Sequence, residues 1–285
     1  MTAVLTGPGY AGSRLRTGAL DVVRRPGLVL ALVVLVVVIS WAFVPGLFAH
    51  QDPITGVPAD RLQGPSAAHL FGTDHLGRDT FSRVVHGASL TLRATLLAVL
   101  VGLAAGGLLG LVAGFVGGRL DAVVMRVVDV MLAIPGLLLS LAVVTALGFG
   151  TLQVAIAVGV SSVAAFARVM RAETLRVRAQ TFVEAAHSVG SRRFYVLAAH
   201  VLPNASGPVL ALSALEFGSA ILSISSLSFL GFGAQPPAPE WGALVSDGRD
   251  YLGTAWWLTT FPGLTVALVV LAANRLARHL EGTRE

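Results

Sequence analysis

The chain has 285 residues, of which 55% are hydrophobic and only 12% are charged, with a formal net charge of +5 at neutral pH. Soluble domains carry about 25% charged residues, so this composition excludes an ordinary soluble protein and indicates an integral membrane protein. All twenty basic residues are arginine and there is no cysteine, which excludes a P-loop or Schiff-base lysine, disulfides and thiolate metal sites.

The first predicted element is a membrane-spanning helix at residues 28–48, with the sequence LVLALVVLVVVISWAFVPGLF. Its length matches the ~20 apolar residues that cross a bilayer core. A signal peptide has a similar apolar run, but here no small-residue cleavage site follows it and more spans come after it. We therefore predict an uncleaved first helix, preceded by a cytoplasmic tail at residues 1–27.

Five further apolar stretches predict an all-α, polytopic membrane protein with about six transmembrane helices. These stretches lie near residues 88–116, 123–147, 151–170, 206–230 and 256–276. Fifteen of the twenty arginines fall on one side of this arrangement, and the positive-inside rule places that side and both termini in the cytoplasm. The transmembrane domain, residues 28–285, then has external loops at about 50–86 and 231–255 and a cytoplasmic loop at about 171–204.

Glycine recurs at every fourth position along the second predicted span, at Gly102, Gly106, Gly110, Gly114 and Gly118. In lipid, such a stripe lets two helix backbones approach closely, so it predicts a tight contact between helices. Two interpretations stay open at this point: contact with another helix of this subunit, or contact with a second membrane subunit. Both concern packing rather than catalysis.

Two carboxylates lie within or near apolar spans, where an ionisable group is costly and is a candidate for function by default. Asp129 follows Arg126 by three residues on one helix face, which predicts an ion pair near the inner interface; a role in translocation or at a subunit interface is the alternative. Glu216 has no charged neighbour in the sequence. It is predicted either to face a cavity or a partner subunit, or to form a structural hydrogen bond.

Motifs for catalysis and metal binding are missing, since the sequence has no HExxH, GxSxG, CxxC or Walker motif. The first predicted external region holds four histidines, but their spacings of 19, 6 and 11 residues do not match a zinc site. We therefore predict no catalytic residue and no metal site. The positive net charge is attributed to cytoplasmic loops rather than to binding of nucleic acid.

A polar, helix-forming segment interrupts the apolar sequence at residues 171–203. Its second part, residues 184–204, has the sequence EAAHSVGSRRFYVLAAHVLPN. The pattern predicts a short helix that stops at Gly190, and a second helix that is capped by Ser191 and ended by Pro203. The result would be a short helix lying across the membrane axis, followed by a sharp turn and a helix that leads back into the bilayer.

Small side chains at Ala185 and Ala186 suit docking of the short helix into a groove on a partner; the alternative is an amphipathic helix on the lipid surface. The segment resembles the EAA signature of ATP-binding-cassette importer permeases, with His200 where isoleucine is usual. The residues that match the signature are Glu184, Ala185, Ala186, Gly190, Leu202 and Pro203.

Two other stretches are similar to one branch of that family, the second permease of dipeptide, oligopeptide and nickel importers. FGTDHLGRDTFSRVVHGASLTL, residues 71–92, resembles the segment before the second span, and LSFLGFGAQPPAPEWGALVSDGRDYL, residues 227–252, resembles the last external loop. The three motifs occur in the family's order, and the resemblance covers roughly residues 70–275.

The resemblance implies a permease subunit that translocates di- or oligopeptides by alternating access across a bacterial plasma membrane. It implies as partners a second homologous permease, two ATPase subunits or domains, an extracytoplasmic substrate-binding protein and membrane lipid. This subunit would hold no cofactor and would not be an enzyme, since ATP and Mg²⁺ would be bound by the ATPases. The EAA segment would be the coupling helix that sits in a cleft of the ATPase.

Two alternatives remain open on the sequence alone. The same architecture imports nickel or glutathione in related systems, so the ligand is not fixed. A more distant alternative is a channel or secondary transporter that works without ATPases, although such a protein would not need the coupling segment.

Overall fold

The computed structural model of the chain describes residues 26–282, which are largely helical and include no β-strand. The helices in this range are α1 (Pro26–Phe43), α2 (Thr80–Val116), α3 (Gly118–Ala133), α4 (Gly136–Leu147), α5 (Thr151–Arg178), α6 (Thr181–Ser188), α7 (Arg193–Val196), α8 (Leu202–Phe229), α9 (Trp241–Gly248) and α10 (Trp257–Gly282). The predicted all-α fold class is confirmed. The tail predicted at residues 1–27 lies outside the described residues except for Pro26 and Gly27, which begin α1.

Five helices in the described range are long and apolar enough to cross a membrane by themselves. They are α1, α2, α5, α10 and the continuous helix from Arg193 to Phe229. Helix α2 begins eight residues before the predicted second span, because the Asp79 side chain accepts a hydrogen bond from the Ser82 N–H (2.7 Å) and caps the helix there. Helix α5 runs eight residues beyond the predicted fourth span, to Arg178.

The third predicted span, residues 123–147, is not one straight helix. Helices α3 and α4 meet there at a bend of 98°. The bend falls at Ile134 and Pro135, where the proline lacks an N–H and forces the preceding residue out of the helical region; Ile134 is extended, with φ −93° and ψ 129°. The apolar run continues through the break, so hydropathy alone predicted a single helix.

The bent pair α3–α4 nevertheless makes one crossing. Helices α2 and α5 run parallel, since residue numbers rise together along their contact. The Ala98 carbonyl oxygen faces Gly159 near one end, and Gly114 faces Thr174 near the other. The chain between two parallel spans has to return across the membrane. The part of the chain that the structure describes therefore has six crossings, which places its two ends on the same side of the membrane.

The glycine stripe of α2 makes the contact with α5, within this subunit. A methyl group at Gly106 or Gly110 would overlap the carbonyl oxygens of Val163 and Ala167, so the two backbones are in direct contact there. The interpretation as contact within the subunit is the one that the fold supports. Gly118 does not belong to the stripe, because it begins α3 and a methyl group there would meet no atom within 4 Å.

The other spans surround this pair. Helix α8 packs against both α2 and α5, α10 packs against α8, and α1 lies across α10 and α2. The short helix α9 follows the end of α8 and packs between α8 and α10. The largest buried apolar cluster joins α2, α5 and α8 and continues into α6 and α7, so the polar segment between α5 and α8 is attached to the main core.

We expect Gly110→Ala to destabilise the subunit, because its methyl group would overlap the carbonyl oxygen of Ala167. Overpacking of this kind costs about 1–3 kcal/mol. Gly107→Ala is the matched control, since the nearest atom to its methyl group would be Met170 Cε at 3.7 Å, an ordinary contact. The measurement is the thermal unfolding midpoint of the detergent-solubilised protein. Equal midpoints for the two variants would contradict the close backbone contact.

Candidate functional site

The polar segment between α5 and α8 forms a helix, a sharp turn and a second helix. The last helical residue of α6 is Ser188, and Gly190, which follows in the turn as predicted, has φ +86°, a conformation that favours glycine. The Ser191 N–H donates to the Ala186 carbonyl oxygen (3.1 Å), the long bond of a Schellman-type helix end. The predicted stop at Gly190 is therefore confirmed by the local geometry.

Two other local predictions in this segment are wrong. Ser191 does not cap the second helix, because the residue at the cap is Arg192 and no side chain bonds the free N–H groups there. Pro203 does not end that helix, because the chain continues through a π-helical turn, Leu197–Val201, into α8. The Leu202 N–H bonds the Leu197 carbonyl across this wider turn, which gives the proline ring room that a regular α-helix denies it.

Buried valines attach the segment to the membrane domain. Val183 of α6, Val196 of α7 and Val201 of the π turn are each at most 1% exposed and belong to the main apolar cluster. The His200 ring lies between two aromatic rings, with its centroid 6.3 Å from that of Phe182 and 5.8 Å from that of Tyr195. The histidine that departs from the family signature thus packs the two limbs of the turn together.

An apolar surface lies open on the same segment. Val189 is 87% exposed in the turn after α6, and Phe194 is 79% exposed at the start of the continuous helix from Arg193 to Phe229, although both are large apolar residues. Other exposed apolar residues of the segment are Phe182, Tyr195 and Leu202. We call these five residues the coupling surface. Exposed large apolar side chains on an otherwise polar segment are typical of a surface that contacts another protein.

The matched signature residues lie within or beside this surface. Glu184 and Ala185 are exposed, while Ala186 is half-buried and packs against the main cluster. Leu202 and Pro203 lie at the start of α8, where both are exposed. The structure therefore places the matched residues on one hairpin. The alanines leave the short helix with small side chains on that face.

Glu216 lies near the middle of the membrane domain. Its Oε2 accepts a hydrogen bond from the Ser162 hydroxyl of α5 (3.0 Å), and the residue is half-buried. Ser162 also faces Gly102, which lies in the middle of the apolar part of α2. Two residues further along α8, Gly218 approaches the Asn274 side chain of α10 closely, as its small size allows. The glutamate therefore ties α8 to α5 at mid-membrane depth.

Asp129 does not pair with Arg126, so that prediction is wrong. Its Oδ1 lies 2.7 Å from Arg168 Nη2, and the two side chains are 58% and 57% exposed. The pairing follows from packing: Val128 fits against α5 beside Ala164, which brings the next residue of α3 alongside α5. Arg126 of the same helix is close to Asp129 in the sequence, but Arg168 of the neighbouring helix lies closer to its carboxylate in space.

A second ion pair between the same helices escaped the sequence analysis. Arg171 of α5 holds Asp121 of α3 in a two-bond arrangement, in which Nη2 and Oδ2 are 2.6 Å apart and Nε contacts Oδ1. The spacing of the charges in the sequence contained a hint of this pair. Asp121 and Asp129 are eight residues apart and share one face of their helix, and Arg168 and Arg171, three residues apart, share a face of the other. Only the parallel packing of α2 and α5 brings the two faces together.

The segments at residues 71–92 and 227–252, which carried the family resemblance, pack against each other at the far end from the coupling surface. Trp241 is fully buried and its Nε1 donates to the Val84 carbonyl oxygen (2.9 Å). The neighbouring Glu240 is also fully buried and accepts hydrogen bonds from two backbone N–H groups of α9, at 3.1 and 3.0 Å. Burial raises the pKa of the Glu240 carboxyl, and these hydrogen bonds oppose the rise.

The buried Arg83 side chain ties three parts of this end together. Its Nη1 donates to the Pro53 carbonyl oxygen (2.9 Å), its Nε lies 3.8 Å from Asp74, and its Nη2 lies 3.9 Å from Asp247 of α9. Burial raises the pKa of the Asp247 carboxyl and the nearby arginine lowers it. Neither Arg83 nor Glu240 was singled out by sequence reasoning, because each acts through groups remote in the chain.

Comparison with known proteins gives a consistent result. Residues 106–284 match the family described as binding-protein-dependent transport system inner membrane component. The chain is 41% identical to the dipeptide transport system permease protein DppC of Alkalihalophilus pseudofirmus, over 88% of this chain and 84% of that protein. It is 43% identical to the glutathione transport system permease protein GsiD of an Escherichia coli strain, over 88% and 82% of the two chains.

A third curated relative is the probable D,D-dipeptide transport system permease protein DdpC of Escherichia coli K12, 39% identical over 86% of this chain and 82% of that protein. Among solved structures, an amino acid ABC transporter crystallised with histidines matches with a TM-score of 0.55 at 18% identity, over 71% and 94% of the chains. The inward-facing MetNI methionine ABC transporter matches with a TM-score of 0.54 at 16% identity, over 70% and 96%. These structures support the fold.

The Asp121–Arg171 pair can be tested by a double-mutant cycle. We expect Arg171→Met alone to lower the thermal unfolding midpoint, because it leaves the carboxylate of Asp121 uncompensated in a partly buried site. Adding Asp121→Asn should recover much of the loss, with a coupling of about 1 kcal/mol. Arg126→Met is the control, since Arg126 is exposed and makes no ion pair with the side chains described from residue 26 to 279, His187 aside. Additive effects of Arg171→Met and Asp121→Asn would contradict the pairing.

Proposed function

The chain belongs to the family of binding-protein-dependent transport system inner membrane components, and we propose that it carries di- or oligopeptides through a bacterial plasma membrane as one permease subunit of an ATP-driven importer. The three curated relatives named above have dipeptide, D,D-dipeptide and glutathione transport in their names. All three ligands are short peptides with free charged groups. This shared chemistry supports a peptide substrate and leaves glutathione within the same class.

The observation that carries the proposal is the coupling surface. Val189 and Phe194 are large apolar side chains that stay almost fully exposed in the subunit alone. They lie on a hairpin that buried valines attach to the core. A groove on a cytoplasmic ATPase would cover them. The partners would be two such ATPase subunits or domains, which bind ATP and Mg²⁺, a second related permease and an external substrate-binding protein.

The proposed orientation places the coupling surface and both chain termini in the cytoplasm. The six crossings put the two ends of the described chain on one side, and the arginine-rich loops favour that side as the inner one. Residues 50–79 and the segment around α9 then face outward, where a binding protein would deliver substrate.

The Asp129–Arg168 pair supports a partner or a water-filled path beside α3 and α5. The residue before Arg168, Ala167, meets Gly110 within the apolar part of α2, so the pair lies at membrane depth. Charged side chains that are more than half exposed at that depth are costly against lipid. We infer that the second permease covers them or that they line the translocation route.

The transmission of movement would follow the two long helices that flank the coupling surface. Helix α5 enters the hairpin and α8 leaves it, and the Glu216–Ser162 hydrogen bond joins the same two helices at mid-membrane depth. Displacement of the hairpin by the ATPases would therefore reach the middle of the membrane through packed helices. Alternating access also requires contacts that differ between two states.

We expect Phe194→Asp to weaken association with the ATPase by about tenfold or more, as loss of a central apolar anchor does at protein interfaces. Membrane insertion should be unchanged, because the side chain is 79% exposed. Leu252→Asp is the matched control, since Leu252 is 54% exposed at the opposite end of the molecule. The measurements are co-purification of the ATPase and substrate-stimulated ATP hydrolysis of the reconstituted complex. Wild-type stimulation in Phe194→Asp would refute docking through this surface.

We expect Glu216→Gln to reduce peptide uptake about tenfold if its charge meets the amino group of the peptide, since hydrogen bonds to charged groups are worth about 1.5–3 kcal/mol. Assembly and basal ATP hydrolysis should persist. Ser162→Ala is the control, because it removes the hydrogen bond and keeps the carboxylate. Uptake of labelled dipeptide, tripeptide, glutathione and nickel would be compared. Unchanged uptake of every ligand in Glu216→Gln would leave only the structural hydrogen bond.

A further inference from the structure

An open cleft lies between the end of α2, the end of α5 and the hairpin that carries the coupling surface. It has a volume of about 660 Å³, and it is lined by Phe115, Val116, Arg178, Glu184 and Arg193. This volume falls within the range of about 300–1,000 Å³ that is usual for ligand sites. Its lining combines two arginines with an apolar wall at the end of a membrane-spanning helix.

The cleft lies at the level of one membrane surface. Arg93 is the last charged residue of α2, and the 23 residues from 94 to 116 contain none. At 1.5 Å per residue this stretch is about 35 Å long, close to the thickness of a bilayer core. If Arg93 lies at one interface, Phe115 and Val116 lie at the other. The arginines next to them then lie at headgroup depth.

The charges of the cleft favour an anion. Arg178 Nη1 donates to the Phe115 and Gly114 carbonyl oxygens, at 3.0 and 3.4 Å, which orients its guanidinium at the end of α2. Arg193 is exposed and makes no ion pair with any side chain that the structure describes, which leaves aside His187 and residues 280–282. Glu184 is the one acidic side chain of the lining, so two positive charges face one negative charge.

The apolar wall distinguishes a lipid from a free anion. Val116 is 58% exposed beside the arginines, and Phe115 is half-buried. A free phosphate would leave this wall in contact with water, whereas an acyl chain would cover it. Basic pockets between helices at the cytoplasmic membrane surface bind anionic headgroups in this manner.

We propose that this cleft binds an anionic phospholipid, with the phosphate between Arg178 and Arg193 and one acyl chain along Phe115 and Val116. The inference rests on the proposed function for the cytoplasmic placement of the hairpin. The bound headgroup would link the end of α5 to α7, and so hold the coupling surface at a fixed height below the membrane. Anionic lipid would then support the coupling of ATP hydrolysis to transport.

The test uses the complete importer reconstituted in phosphatidylcholine bilayers with and without phosphatidylglycerol. Arg193→Gln is compared with Arg192→Gln, the adjacent exposed arginine that does not line the cleft. Retained phosphatidylglycerol per complex is counted by mass spectrometry after detergent extraction. Removing one basic contact near the surface should weaken retention about fivefold in Arg193→Gln and leave Arg192→Gln at the wild-type level.

Each other outcome overturns the proposal. Equal lipid retention in Arg193→Gln and wild type would exclude the site. Loss of the ATPase from Arg193→Gln with lipid retention unchanged would assign the cleft to an acidic side chain of that partner. Displacement of the lipid by millimolar inorganic phosphate, with unchanged coupling, would indicate a free-anion site. Failure of the proposed function is recognised separately, because wild-type protein would then bind no ATPase while lipid retention could still be counted.

Discussion

The direct backbone contact between α2 and α5 is the constraint on which the rest of the structure depends. Glycines at positions 106 and 110 remove the side chains that would separate the helices, so that carbonyl groups of α5 lie against α2. Since the two helices are parallel, the chain between them must cross the membrane again. The broken span α3–α4 is a consequence of this contact, and so is the position of the coupling surface at the end of α5.

The ion pairs of α3 follow from the same contact. Fixing α5 against α2 presents Arg168 and Arg171 on a face that α3 has to pass on its return. The two pairs differ in surroundings, because Asp121 is mostly buried while Asp129 is open. The partly buried pair links α3 to α5 within this subunit, and the open pair is the one for which the proposed function supplies a cover.

The sequence predicted those features that depend on local signals. Apolar runs located the spans, and Gly190 located the end of α6, because a left-handed residue after a helix needs no distant partner. Features decided by neighbouring helices were not predictable in this way. Pro135 breaks a span although it lies inside a continuous apolar run, and Pro203 is accommodated by a π turn. Which arginine pairs with Asp129 is decided by how Val128 packs against α5.

The hairpin between α5 and α8 combines two requirements that normally oppose each other. Its valines are buried in the main cluster, which attaches it to α5 and α8, while its larger apolar residues are exposed. A hairpin held only by exposed contacts would bend under load, and one fully buried could not be reached by a partner. The division between buried small residues and exposed large ones would let a partner bound to the proposed coupling surface act on the membrane helices through the same buried contacts.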